Sequence, residues 1–264
     1  MLPFTSRSRL SLLQGAAVAV VMMTVGATAS AALPTFTLNP AGAGLNGATI
    51  NADNVLISDF STITGGAGGS FTETGYLPIT GFQLAGSSFT PAGLNSDYGL
   101  YIAFTGTGTT TTNDPTTAVN FGSFNTLTYT LYGYNGTATF GFSGNTPTET
   151  ATGEVALATG TLIAGTVVTV PTGMGSFNPS ANASLTFGAA NAGFFGSPTP
   201  FYTVAMTSFS NTASQVEPFG TGFRIRQGGG SLNFAPVPEP SSTAMLVCGL
   251  AAGLLRLRSQ RRQR

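Results

Sequence analysis

The chain has no histidine and no tryptophan, its nine cationic side chains are all arginine, and it has one cysteine in 264 residues. Each absence removes a class of chemistry. Without histidine there is no near-neutral general base and no imidazole ligand, so Ser-His-Asp, Cys-His and His-Glu-x-x-His arrangements are excluded. Cys248 lies in an apolar run near the C-terminus, which leaves the rest of the chain without a disulfide framework or a thiol nucleophile. Charged residues make up 7% of the chain, against about 25% in ordinary globular domains.

The few charges are sorted along the sequence. Arg7, Arg9, Arg256, Arg258, Arg261, Arg262 and Arg264 sit in the terminal segments. Between Ala32 and Pro238 only Arg224 and Arg226 face eight acids, Asp53, Asp59, Glu73, Asp97, Asp114, Glu149, Glu154 and Glu217, for a net −6. An acidic body offers no basic stripe to phosphates, so no nucleic-acid partner is expected.

The N-terminal segment has the order of a secretory signal peptide: Arg7 and Arg9, an apolar stretch from Leu10 to Val25, then Gly26-Ala27-Thr28-Ala29-Ser30-Ala31-Ala32. Ala27-Thr28-Ala29 and Ala29-Ser30-Ala31 both fit a cleavage site. The second, with Ala29 and Ala31 as its small residues, is favoured and assigns residues 1–31 to the signal.

The C-terminal segment, residues 236–264, has three parts. Pro238-Glu239-Pro240 is barred from helices and central strands, because proline lacks the amide donor and forces extended geometry on its predecessor. An apolar run of 12 residues follows, from Ala244 to Leu255. As a helix it would reach about 18 Å against a hydrocarbon core of about 30 Å, enough for transient retention and poor as a permanent anchor. Arg256, Arg258, Arg261, Arg262 and Arg264 then fix its far end on the cytoplasmic side.

These C-terminal residues resemble the PEP-CTERM sorting signal of exopolysaccharide-producing Gram-negative bacteria. The resemblance implies recognition by an exosortase, removal of the tail at or near Pro238-Glu239-Pro240, and delivery through the inner membrane to the outside or the cell surface. An ordinary tail anchor would instead keep the chain membrane-tethered.

The body, residues 32–235, alternates apolar and polar side chains with period two. Leu100, Ile102 and Phe104 alternate with Tyr101, Ala103 and Thr105, and Leu127, Tyr129 and Leu131 with Thr126, Thr128 and Thr130. Threonine, used 41 times in the chain, suits the wet face of such strands. Asn135-Gly136 predicts a turn closing a hairpin from Phe124 to Phe142. About a dozen strands without an intervening amphipathic helix predict an antiparallel β-sandwich or jelly roll. Thr105–Thr117 and Pro171–Pro179 read as exposed loops, and Gly228-Gly229-Gly230 as a bulge or turn before the last strand.

Carboxylates are the available acid–base groups, and a glycosidase needs two across one cleft. Glu149 and Glu154 are the nearest pair in sequence, and solvated loop acids explain them better. No catalytic residue, cofactor or metal ligand is therefore assigned. Structural calcium remains open at Asn51-Ala52-Asp53-Asn54, Asn95-Ser96-Asp97 and Asn113-Asp114, although all three also read as turns. Tyr98, Tyr101, Tyr132, Tyr134 and Tyr202 fit a sugar-stacking platform, with core packing preferred.

In the body, Phe121-Gly122-Ser123-Phe124-Asn125-Thr126-Leu127, Thr130-Leu131-Tyr132-Gly133-Tyr134, Glu154 with Leu157-Ala158-Thr159-Gly160, and Gln227 to Phe234 are similar to the flocculation-associated group of PEP-CTERM proteins. That resemblance implies exopolysaccharide as partner and a non-enzymatic part in floc or biofilm matrix. A glycan-active hydrolase and a permanently membrane-tethered glycan-binding module are the alternatives.

Overall fold

The computed structural model describes residues 33–65, 69–112 and 114–235. Ala29 and Ala31 of the signal, the motif Pro238-Glu239-Pro240, and Arg256, Arg258, Arg261, Arg262 and Arg264 lie outside the described residues. In chain order the first strands are β1 (Phe36–Leu38), β2 (Ile50–Ala52), β3 (Asn54–Gly65), β4 (Ser70–Leu84), β5 (Ser87–Phe89), β6 (Tyr98–Thr110), β7 (Asn120–Asn135) and β8 (Phe140–Ser143). The rest are β9 (Thr146–Glu149), β10 (Val155–Gly173), β11 (Ser176–Thr186), β12 (Gly188–Ala189), β13 (Phe195–Ser197), β14 (Val204–Ser210), β15 (Val216–Phe219) and β16 (Gly222–Ala235).

Eight of these strands make one closed sheet. β3, β4, β6, β7, β10, β11, β14 and β16 each pair antiparallel with the next, and β16 returns to pair with β3. The all-β, antiparallel expectation holds, whereas the expected sandwich or jelly roll gives way to an up-and-down barrel. Both architectures bury one face of every strand, so the same alternation serves either. Closure rests on pairings such as Gly230 with Ile57, far apart in sequence.

Three local expectations are corrected as well. Asn135-Gly136 does turn, with Gly136 at φ +88°, but no hairpin joins 124 to 142. Both edges of β7 are already taken by β6 and β10, so the chain leaves the barrel and β8 pairs with β9 instead. That small hairpin lies on the outside of the barrel, with Phe140 and Phe142 each 6.3 Å from the Phe60 ring. Thr105–Thr110 is the end of β6 rather than a loop, and Pro171–Pro179 is a tight β10–β11 hairpin with Met174 and Gly175 at its tip. The triple glycine lies inside β16, whose register shifts between Arg226 and Gly228, so the expected bulge is present.

Interior glycines explain how Thr-Gly repeats become strand. A Cβ at Gly108 would stand 2.2 Å from Phe71 Cζ and 2.5 Å from the Ser123 carbonyl oxygen. Gly108 therefore makes room for a phenyl ring inside the barrel. Gly108→Val is expected to destabilise by about 2 kcal/mol or more in urea unfolding, since overpacking cannot be relieved against backbone. The matching change at exposed Thr107 is expected to stay within about 0.5 kcal/mol.

One end of the barrel is filled. β1, β2 and β13 form a three-stranded patch there, and Phe36, Phe187, Phe194, Phe195, Phe201 and Phe234 pack in mutual edge contacts. The other end carries the β10–β11 hairpin tip, the β15–β16 turn and the adjoining ends of β3, β4, β6 and β7. The interior between the two ends is only partly filled.

Candidate functional site

The outer face carries an ordered field of hydroxyls. Thr62, Thr74, Thr105, Thr128 and Thr161 are successive register partners across β3, β4, β6, β7 and β10. A second row runs Thr64, Thr72, Thr107 and Thr126, and Thr130 pairs with Thr159 beyond the first. Neighbouring strands lie about 4.8 Å apart and same-face residues about 6.7 Å apart along a strand, so the threonines form a lattice wrapped round the barrel. Most are exposed. Thr107 and Thr126 share a hydrogen bond at 2.7 Å, while Thr62 is covered and donates to the Asn145 carbonyl at 2.5 Å. With hydroxyls outside and phenyl rings inside, the polarity is the reverse of a lipid-facing barrel.

Beside this field the aromatic side chains gather. Tyr101 stacks on Tyr132 at 5.3 Å and meets Phe140 at 5.4 Å, Tyr76 at 5.9 Å and Tyr134 at 6.0 Å. Of the proposed tyrosine platform, the structure brings together Tyr101, Tyr132 and Tyr134; Tyr98, Tyr101 and Tyr134 are buried as core. Tyr202 is elsewhere, against Phe201 and Phe234 at the filled end. The Tyr101 hydroxyl donates to Glu154 Oε1 at 3.2 Å. Burial first, then the negative charges of Glu149 and Glu154, push its pKa well above the phenol range. Glu149 accepts the Ala151 amide at 2.5 Å.

The inside presents a different chemistry. A cavity of about 380 Å³ opens toward the hairpin end and is walled by Phe71, Phe124, Leu127, Phe209, Phe223 and other apolar side chains. Two acids reach it. Asp59 on β3 lies on the same face as Val55, Ile57 and Ile63, and Glu73 on β4 is the register partner of Ile63. Ser61 lies between them, opposite Gly75, where any Cβ would meet Ser61 Cβ at 2.7 Å. Glu73 is half-buried and lines the cavity.

Burial raises both carboxyls out of the usual carboxylate range, Asp59 to about 7 and Glu73 to about 8. For Glu73 the Asp59 charge adds to the rise, and the nearby Ser61 hydroxyl draws both part of the way back. Ser61 Oγ nevertheless makes no hydrogen bond of good geometry, and neither does Asp59 Oδ1 or Asn211 Oδ1, all three atoms buried. Arg224 and Arg226 point outward, where both pair with Glu217, at 2.5 and 3.1 Å, and lie over the Phe142 ring.

No sequence motif joins Asp59 and Glu73. They are 14 residues apart on two strands, and only the β3–β4 register brings them together. The available signal was an acid on the apolar face of each alternating strand: Val55-x-Ile57-x-Asp59-x-Ser61-x-Ile63, and Phe71-x-Glu73-x-Gly75-x-Leu77. In the clusters weighed for calcium, three side chains hydrogen-bond the backbone. Asp53 Oδ2 accepts the Ala85 amide at 2.6 Å, Asn95 Nδ2 donates to the Ile79 carbonyl at 3.0 Å, and Asp114 Oδ1 accepts from the Thr116 amide at 2.8 Å. The Thr116 hydroxyl and amide hold the Asp114 carboxyl below its ordinary range.

Compared with known proteins, the chain matches no family model, no curated protein and no solved structure.

Proposed function

We propose that this chain is a secreted, exosortase-processed matrix protein whose barrel holds exopolysaccharide by its threonine-covered outer face and so supports flocculation or biofilm formation. The observation that carries the reading is the register of the threonines. A hydroxylated polymer is bound by many weak hydrogen bonds, and a rigid lattice presents them with little ordering entropy left to lose. Curvature of the lattice suits a flexible chain that wraps, and the low charge of the surface lets neutral or acidic glycans approach without strong repulsion. The signal-peptide order of residues 1–31 and the tail around Pro238-Glu239-Pro240 support export and processing.

The proposed role is non-catalytic. Asp59 and Glu73, which the structure does bring together, lie inside an apolar cavity, and a polysaccharide needs an open cleft between its two acids. Substituting valine at Thr74, Thr105, Thr107, Thr126 and Thr128 keeps the β-branch and removes five hydroxyls. Co-sedimentation with the host's exopolysaccharide is expected to weaken by about tenfold or more at unchanged secondary structure, with each lost hydrogen bond contributing about 0.5–1.5 kcal/mol before any non-additivity. Undiminished sedimentation of the five-site variant overturns the reading. Mass spectrometry of the surface form separates processing from permanent tethering: a C-terminal peptide ending at Arg264 means the tail was never removed.

A further inference from the structure

A role carried by the outer face makes no use of the interior, and the interior is built for something. Two carboxyls with no cationic partner stand in a cavity walled mainly by apolar side chains. Neither arginine among the described residues is available, since both are engaged outside by Glu217 and Phe142. The chain has no histidine, so no imidazolium balances them either. Beside them Ser61 Oγ, Asp59 Oδ1 and Asn211 Oδ1 are left without partners; the last two are acceptors in residues 3% exposed that line the cavity. Gly228, the register partner of Asp59, keeps the space between them open, since a Cβ there would stand 2.2 Å from Asn211 Oδ1. Two carboxyls and an amide oxygen thus face one place with a single hydroxyl, Ser61 Oγ, as the nearby side-chain donor and no cation.

That pattern calls for a ligand rich in donors at one end and apolar elsewhere. An alcohol brings one donor, a carboxylate none, and a primary ammonium three with a positive charge. The remaining walls, Phe71, Phe124, Leu127 and Phe209, suit an apolar body, and ring faces near a cation add further attraction. At about 380 Å³ the cavity is of the size that takes small organic molecules. We propose that the barrel interior binds a small hydrophobic primary amine, its ammonium held by Asp59, Glu73 and Asn211 and its apolar body by the phenyl-lined wall. The proposal goes beyond the surface role and does not depend on it.

Charge balance follows from the same groups. Below about pH 7 burial holds both carboxyls protonated, so the entering ammonium ionises one of them, and that proton leaves to solvent. The second carboxyl keeps its proton and donates a hydrogen bond within the pair. Amine affinity therefore weakens as pH falls, by about tenfold per unit below about pH 6, where the displaced proton must be given up to an acidic solution. The groups facing the pair are Ser61 and Asn211, with the Tyr129 hydroxyl turned away to the Thr186 carbonyl at 3.0 Å and Asp114 at the mouth.

Titration calorimetry of the full chain with hexylamine, hexanol and hexanoate tests this. At pH 6 hexylamine is expected to bind at least about tenfold tighter than hexanol, hexanoate not measurably, and amine binding is expected to release close to one proton, read from buffers of different ionisation heat. The Asp59→Asn, Glu73→Gln double variant is expected to lose about tenfold or more in amine affinity while keeping hexanol binding, which reports an intact cavity. Equal affinity for amine and alcohol, absence of proton release, or unchanged amine affinity in the double variant each overturns the proposal. If the double variant fails to fold, the comparison of ligands and the proton count on the unaltered chain decide.

Discussion

The thermal midpoint of the protein is expected to fall by roughly 10 °C between pH 4.5 and pH 8, where most globular proteins change little. The cause is the buried pair. In the unfolded chain Asp59 and Glu73 lose their protons near pH 4, whereas burial in the barrel raises them to about 7 and about 8. Across that window the folded state binds more protons than the unfolded one, so stability falls with rising pH, at up to about 1.4 kcal/mol per unit for each group. The contribution is fully present below about pH 4 and is lost as pH rises through about 7 to 8, where both states are ionised. One group alone accounts for about 4 kcal/mol, and each kcal/mol moves the midpoint of a domain this size by about 2–4 °C.

Asp114 does not disguise the effect, because its lowered carboxyl acts in the opposite direction and only on the acid side of the window. Replacing Asp59 with Asn and Glu73 with Gln removes the titrating protons with little change of shape. The profile of that variant is expected to be nearly flat from pH 4.5 to pH 8. A slope equal to that of the unaltered chain would show that the pair is ionised at modest pH and open to water.

Phe234→Ala is expected to destabilise the barrel by about 3–5 kcal/mol, the range for a phenyl ring removed from a packed core. Phe234 is 2% exposed, near the end of the last barrel strand. Its ring lies 4.9 Å from Phe36, 4.9 Å from Phe187 and 5.1 Å from Phe201, all in edge contacts. These rings come from β1, from just after β11 and from the loop before β14, so one side chain ties the closing strand to the patch that fills the barrel end. The void cannot collapse easily against three rings held by separate segments. Urea unfolding measures the loss as a lower midpoint at unchanged slope. Phe121→Ala is the control: 57% exposed, it is expected to change stability by less than about 0.5 kcal/mol. Comparable losses for the two would mean that the ring cluster does not hold the end closed.

Much of this was legible residue by residue. Leu127, Tyr129 and Leu131 were read as inward and Thr126, Thr128 and Thr130 as outward, and the structure agrees, because one side chain in two must face each side of a pleated strand. The bulge near Gly228-Gly229-Gly230 was legible for a local reason too: glycine without side chains to pack marks irregular strand. The hairpin after Asn135-Gly136 was misread, although the turn itself is real, because the sequence does not say that both edges of β7 are already occupied. The Thr-Gly run at 105–110 was misread as loop because glycine in a strand looks like weakness until the Phe71 ring appears beneath Gly108. Asp59 and Glu73 were overlooked as a pair for the same reason: each was visible on an apolar face, but their proximity depends on a register between strands.

By itself the sequence determined the all-β character, the faces on which the alternating residues of strands such as 126–131 lie, and the imbalance of two arginines and no histidine against the body's eight acids. Those properties follow from residue type and a period of two, both local. The tertiary structure alone decided that the sheet closes, that the outward threonines line up into rows, and that two acids share one cavity. Register between strands is set by backbone hydrogen bonds and side-chain packing among residues far apart in the chain, and no local pattern encodes it.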